Sequence, residues 1–199
     1  KAADAMLATP WLYASGNHDL DFDAPDDALS LDSFRNQFGP DTFAWEEHRA
    51  NFIVLDDVVY LPGQKPDYIG GLRESQFAFL EAYLSAADKS RLLVIAAHIP
   101  LLQSGGGRET FRAADRKRLF ALLAPFRDVL LLTAHSHTQT QFRHGPDSGW
   151  FGSGRLYEYN AGATCGAFWS GLKDAAGIPD SIMSDGTPNG YARLLIGQG

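Results

Sequence analysis

With 199 residues, the chain suits one domain or one domain with a small appendage. Apolar residues make up 45%, enough for a real core, and the formal net charge of -7 argues against nucleic acid or an anionic membrane as the main partner. No stretch is long and apolar enough to span a membrane, and the single Cys165 rules out an internal disulfide framework.

The start, Lys1 to Ala8, reads as the tail of a helix in a longer protein and carries no signal-peptide pattern. Pro10 to Ser15 is a compact apolar run that predicts a buried strand. The turn Gly16-Asn17-His18-Asp19 follows, with Gly16 allowing a sharp backbone bend. Asp21, Asp23, Asp26 and Asp27 lack the glycine and terminal glutamate of a calcium loop and read as a solvated segment. A short helix capped by Asp27 or Ser30 runs to Phe38, where Gly39-Pro40 stops it. Thr42 to His48 and Asn51 to Leu55 predict paired strands, and Pro62 to Gly71 a loop. A helix over Glu74 to Ala87 turns Phe77, Leu80 and Leu84 inward.

Two continuous apolar runs follow, Leu92 to Ala97 and Val129 to Thr133, each the mark of a strand buried on both faces. Between them lie the loop of Pro100 and Gly105-Gly106-Gly107 and a helix from Ala113 to Leu123. Alternation of strands and helices predicts an α/β fold with a helix-covered sheet. Thr138 to Phe142, Leu156 to Asn160 and Tyr191 to Ile196 predict further strands. The style changes near Gly145, which divides the chain into residues 1–144 and a β-rich tail, 145–199. Trp150, Trp169 and Tyr157 are large enough to demand burial, and the sheet is the surface available to them. Gly162 to Gly166 is a small-residue loop that either borders a cleft or merely turns between strands.

Chemistry gathers at three strand ends. Asn17-His18-Asp19, His98 and His135/His137 each stand just past a predicted strand, and parallel neighbours would bring them to one sheet edge, where ligands bind. Asn oxygen and imidazole nitrogen both suit divalent metals. Each piece alone has a plainer explanation: Gly-Asn is a common turn pair, and a lone histidine at a strand end is more often a satisfied structural residue. Their joint placement favours a metal site. His48 and His144 lack such a setting and read as surface residues.

Gly16-Asn17-His18-Asp19, Ala97-His98-Ile99-Pro100 and Ala134-His135-Ser136-His137 resemble, in that order, the third, fourth and fifth motifs of the calcineurin-like metallophosphoesterases. Trp169-Ser170-Gly171, Gly177-Ile178-Pro179 and Asp185 to Tyr191 resemble the C-terminal extension of some bacterial members. The resemblance implies a four-layer αββα sandwich and a centre of two divalent metal ions, commonly Mn, Fe, Zn or Mg. It implies that Asn17, His98 and His135 bind one metal and His137 the other. It also implies that His18 acts on the scissile phosphate, with Asp19 orienting it, in hydrolysis of a phosphomonoester or phosphodiester. Ala134 replaces the family's glycine, and the first two motifs, Asp-x-His and Gly-Asp, would precede Gly16 and are not in this sequence. The expected fold is therefore a partial sandwich lacking its first strands. Its buried strands Leu92–Ala97 and Val129–Thr133 are left wanting neighbours that an upstream fragment or a swapped protomer would supply. The contrasting reading is a non-catalytic metal-binding or interaction module whose Gly- and Trp-rich tail binds a partner or glycan.

Overall fold

The computed structural model describes residues 11–102, 110–188 and 190–197. The helix end read over Lys1 to Ala8 and the glycines Gly105 to Gly107 lie outside these residues. The elements are α1 (Asp32–Phe38), β1 (Phe43–Glu47), β2 (Ala50–Val54), β3 (Val58–Tyr60), β4 (Tyr68–Gly70), α2 (Glu74–Ala86), β5 (Leu92–Ala96), α3 (Ala113–Leu123), β6 (Asp128–Thr133), β7 (Gln139–Arg143) and β8 (Arg155–Ala161). Six strands form one mixed sheet in the order β1-β2-β5-β6-β8-β7, and β3 and β4 pair as a small antiparallel ribbon. Strands β2, β5, β6 and β8 run parallel, and β1 and β7 close the two edges antiparallel.

The sheet has two unlike faces. Register places Ile53, Ile95, Leu131 and Glu158 in one row and Asn51, Leu93, Val129 and Leu156 in the next, all buried. Phe77, Leu80 and Leu84 of α2 join the same core as Leu119, Phe120 and Leu123 of α3, so this is the helix-covered face. The opposite face carries Trp45, Phe52, Val94, Leu130 and Tyr157 in register, and beyond them Val54, Ala96, Leu132 and Tyr159. There Phe52, Leu130, Leu132, Tyr157 and Tyr159 are only half-buried, and Trp45 stacks on Phe52 at 4.7 Å. Strand β6 thus alternates buried and half-buried residues instead of being buried on both faces.

Several expectations change. Strands β5 and β6 lie inside the sheet with a neighbour on each side, so neither lacks a partner. Residues 11–15 form no strand: Trp11 and Leu12 are exposed, and no described strand offers them a ladder. Tyr191 to Ile196 likewise pairs with nothing among the described residues, and Tyr191 and Leu195 are exposed. The loop expected over Pro62 to Gly71 instead contains β4. The acidic segment is not merely solvated. Asp26 accepts from Leu29 N, Asp21 from Ser33 N and Asp27 from Tyr60 N, while Arg73 pairs with both Asp27 and Asp56. The short helix ends at Phe38 as expected, but Leu31 occupies its N-terminal boundary without a side-chain cap.

The two faces predict different responses to truncation in this chain. Leu131→Ala should cost about 2–5 kcal/mol of unfolding free energy, as for a closed core site, and Leu130→Ala about 1 kcal/mol. Denaturant unfolding of both variants checks this, and equal losses would contradict the one-sided cover.

Candidate active site

The parallel register carries the ends of β5 and β6 to one edge of the sheet, and two buried carboxylates fix the turns beyond those ends. Asp57 accepts from the backbone N–H of His98 at 2.9 Å and of Ile99 at 3.0 Å. Glu158 accepts from Leu101 N at 3.1 Å, Thr133 Oγ1 at 3.0 Å and His144 Nε2 at 2.8 Å. Ala134 N donates to the His98 carbonyl, and Asn160 Nδ2 donates to the Ala134 carbonyl. The turns bearing His98 and His135 are therefore tied to each other and to the sheet. Ala134 has no left-handed φ, so the absence of glycine there costs nothing in backbone conformation.

Asn17, His98 and His135 converge. Asn17 Oδ1 lies 2.8 Å from His98 Nε2 and 3.1 Å from His135 Nδ1, and the two nitrogens are 3.1 Å apart. Gly16 matters here for a reason other than its flexibility. Its φ of -128° is ordinary, but a Cβ would sit 2.9 Å from the His98 ring, so glycine is what lets that ring come close.

The remaining expected residues surround this triangle. His18 is exposed beside it. Asp19 accepts from Gly16 N at 2.8 Å, and no hydrogen bond links it to His18 among the described residues. His137 stands outside the triangle, with its Nδ1 on the Gly166 carbonyl, which leaves Nε2 free. His135 and His137 both hold left-handed φ values, 60° and 53°. A shape of that kind costs about 1–2 kcal/mol for a side-chain-bearing residue and is found where function constrains the backbone. The loop Gly162 to Gly166 reaches this edge through the Gly166 carbonyl.

His98 is pushed down to about 4, first by burial and then by the neighbouring His135, His18 and His137. His135 is lowered as well, first by burial and then by His137 and His18. Both rings are neutral near pH 7, which is the form that offers a lone pair to a cation. Two donors bound at about 2.1 Å and at right angles lie about 3 Å apart, so the triangle's edges fit one face of a coordination shell. A shared imidazole proton can also join the three atoms. Among the described residues no group of three or more His, Cys, Asp or Glu side chains is placed to hold a metal ion, so Asn17 is needed as the third donor.

The sequence reading missed four contributors. Asp56, Asp57 and Glu158 are buried carboxylates, and His144 is buried against Glu158 and Phe120 instead of lying at the surface. Burial holds the Asp57 carboxyl well above the usual carboxylate range, against the opposing pull of the Ile99 and His98 amides. Period-two alternation over Leu156, Glu158 and Asn160 was the available signal for Glu158, since it puts all three on the face of a buried leucine. Of the tail aromatics, Trp150 is buried and donates to the Gly154 carbonyl, Tyr157 is half-buried, and Trp169 is exposed.

In metal-free protein, stability should fall as pH drops from about 6.5 to about 4. The unfolded imidazole of residue 98 takes up its proton near 6.5, whereas the folded one resists until about 4. The loss is about 1.4 kcal/mol per pH unit for one such group, or about 3 kcal/mol across the window. Urea unfolding of chelator-treated protein against pH measures it. His98→Gln should flatten the slope, and an unchanged slope would contradict the burial of a neutral ring.

The tail grips this edge from outside. Ser184 N donates to the His137 carbonyl, and Gln139 N donates to Asp185 Oδ2. No curated protein matches the chain. A protein-family model does: residues 158–198 match the one described as C terminal of calcineurin-like phosphoesterase. That match begins within β8 and takes in the segments that hold His137, so the part of the chain bound to His137 is similar to the C-terminal region of calcineurin-like phosphoesterases.

Proposed function

We propose that this chain supplies the metal-holding and proton-donating edge of a metal-dependent phosphoesterase that hydrolyses phosphomonoesters or phosphodiesters. The observation that carries the reading is the convergence of Asn17 Oδ1, His98 Nε2 and His135 Nδ1, from three separate turns, next to the exposed His18. The family match to residues 158–198 supports it from an independent part of the chain.

Asn17, His98 and His135 would hold one divalent cation, and His137 would offer its free Nε2 to a second. Two such cations, Mn, Fe, Zn or Mg, supply Lewis-acid activation of the phosphoryl group and the attacking water. Water would attack phosphorus and lose its proton to solvent, the ester P–O bond would break, and His18 would deliver a proton to the departing oxygen and regain one from solvent. Asp19 braces the turn through Gly16 N instead of touching the imidazole, so its role is to place His18 by placing the backbone.

A two-metal centre calls for a carboxylate, and no Asp or Glu joins the triangle among the described residues. We assign that ligand to a further segment of a longer polypeptide or to a second protomer. The half-buried sheet face bearing Phe52, Leu130 and Tyr157 supports a further layer there, which is what an αββα sandwich requires. Residues 145–199 would act as an extension packed on residues 1–144; the hold on His137 supports this, while β8 joins the main sheet itself between β6 and β7.

Phosphatase assays of the longer protein with Mn²⁺ test the reading. His18→Ala should lower kcat at least about a hundredfold, with metal content nearly unchanged. Parallel loss of metal and activity would reassign His18 as a ligand. Metal binding without hydrolysis of any phosphate ester would favour the non-catalytic module.

A further inference from the structure

Residues 165–183 leave the sheet edge and return as an irregular hairpin. Ala167 N donates to the Ile182 carbonyl, Gly171 N to Asp180 O, Asp180 N to Leu172 O and Asp174 N to Ile178 O. Both limbs are rooted on His137, one through the Gly166 carbonyl and the other through Ser184 N. Gly166 itself cannot be replaced without collision, because a Cβ there would meet the Ser181 carbonyl.

Just past this root the chain does something costly. Phe168 and Trp169 both hold left-handed φ values, 60° and 55°. Among the described residues the other non-glycine positions with positive φ are His135 and His137, both at the candidate site, where Phe168 also stands. The backbone strain does not serve burial, since Phe168 remains 65% exposed and Trp169 46%. It places the Phe168 ring 4.3 Å from the His137 ring and 6.4 Å from that of His18, meeting the latter edge-on at 75°. A bulky apolar ring is thus held against two site imidazoles with its remaining surface open.

Resting on the phosphoesterase reading, we propose that Phe168 contacts the substrate, forming an aromatic wall for the group that leaves with the oxygen protonated by His18, and so favours esters with planar aromatic leaving groups. Geometry decides which part of the substrate meets it. The phosphoryl group belongs beside the Asn17–His98–His135 triangle. The departing oxygen must reach His18, so the group it carries extends past His18, where Phe168 stands. Stacking between two rings is worth a factor of about 3 to 10 in binding.

Calorimetric titration of the Mn²⁺-loaded longer protein with phenylphosphonate and methylphosphonate tests this without turnover. Native protein should bind the phenyl compound about 3- to 10-fold more tightly. Phe168→Ala should erase that preference and leave methylphosphonate affinity within about twofold. Phe168→Gly, which suits the left-handed backbone, should do the same, whereas Phe168→Trp should keep the preference. A preference that survives both truncations overturns the proposal while leaving the phosphoesterase reading intact. Failure of both phosphonates to bind overturns both.

Discussion

The Asp57 carboxylate is the constraint on which the candidate site depends. It is buried at the end of β2's extension and takes the N–H groups of His98 and Ile99, the two residues at which β5 gives way to loop. Replacing it by an apolar side chain would strand two buried donors, at about 1–3 kcal/mol each. Glu158 does the same for Leu101 from the other side, braced by Thr133 and His144. Two carboxylates, one between β2 and β3 and one on β8, thereby hold one loop, and His98 at its start points its Nε2 at Asn17 and His135. Burying acids so deeply is expensive, and the backbone amides are what offset it.

The same edge concentrates backbone strain. The left-handed residues His135 and His137 follow β6, and the left-handed Phe168 of the tail stands against His137. Gly16 and Gly166 supply the two close approaches, one to the His98 ring and one to the Ser181 carbonyl. Rigid strands, tight turns and a returning tail together fix side chains that elsewhere in the chain would be free. Away from this edge, a cavity of about 1290 Å³ opens at the other end of the sheet, among Leu92, Leu130, Tyr157 and the tail's Leu194 and Leu195. It contains none of the candidate residues and reflects the open sheet face.

Much of this was legible because β5 and β6 are apolar runs that stop abruptly at His98 and just before His135. Apolar runs state where a strand is, and the first polar residue after one states where a side chain emerges. The helices α2 and α3 were legible by the same logic, from the spacing of Phe77, Leu80 and Leu84 and from the stop at Pro125. What could not be read depended on partners far away in sequence. Asp56-Asp57 looks like a surface acidic pair until Arg73, His98 and Ile99 fold over it. His144 has no strand-end setting, and its burial comes with the distant Glu158 and Phe120 as well as the nearby Phe142. Residues 11–15 and Tyr191 to Ile196 have strand-like composition but no ladder partner among the described residues, and composition carries no information about partners.

The central claim is that Asn17, His98 and His135 together hold one divalent cation. Calorimetric titration of Mn²⁺ into the chain tests it most directly, comparing native protein with Asn17→Ala, His98→Ala and His135→Ala and using the exposed His48→Ala as a control. The account predicts that each of the three substitutions lowers affinity at least about tenfold, with the control unchanged. Native affinity retained in any two of the three variants would contradict it.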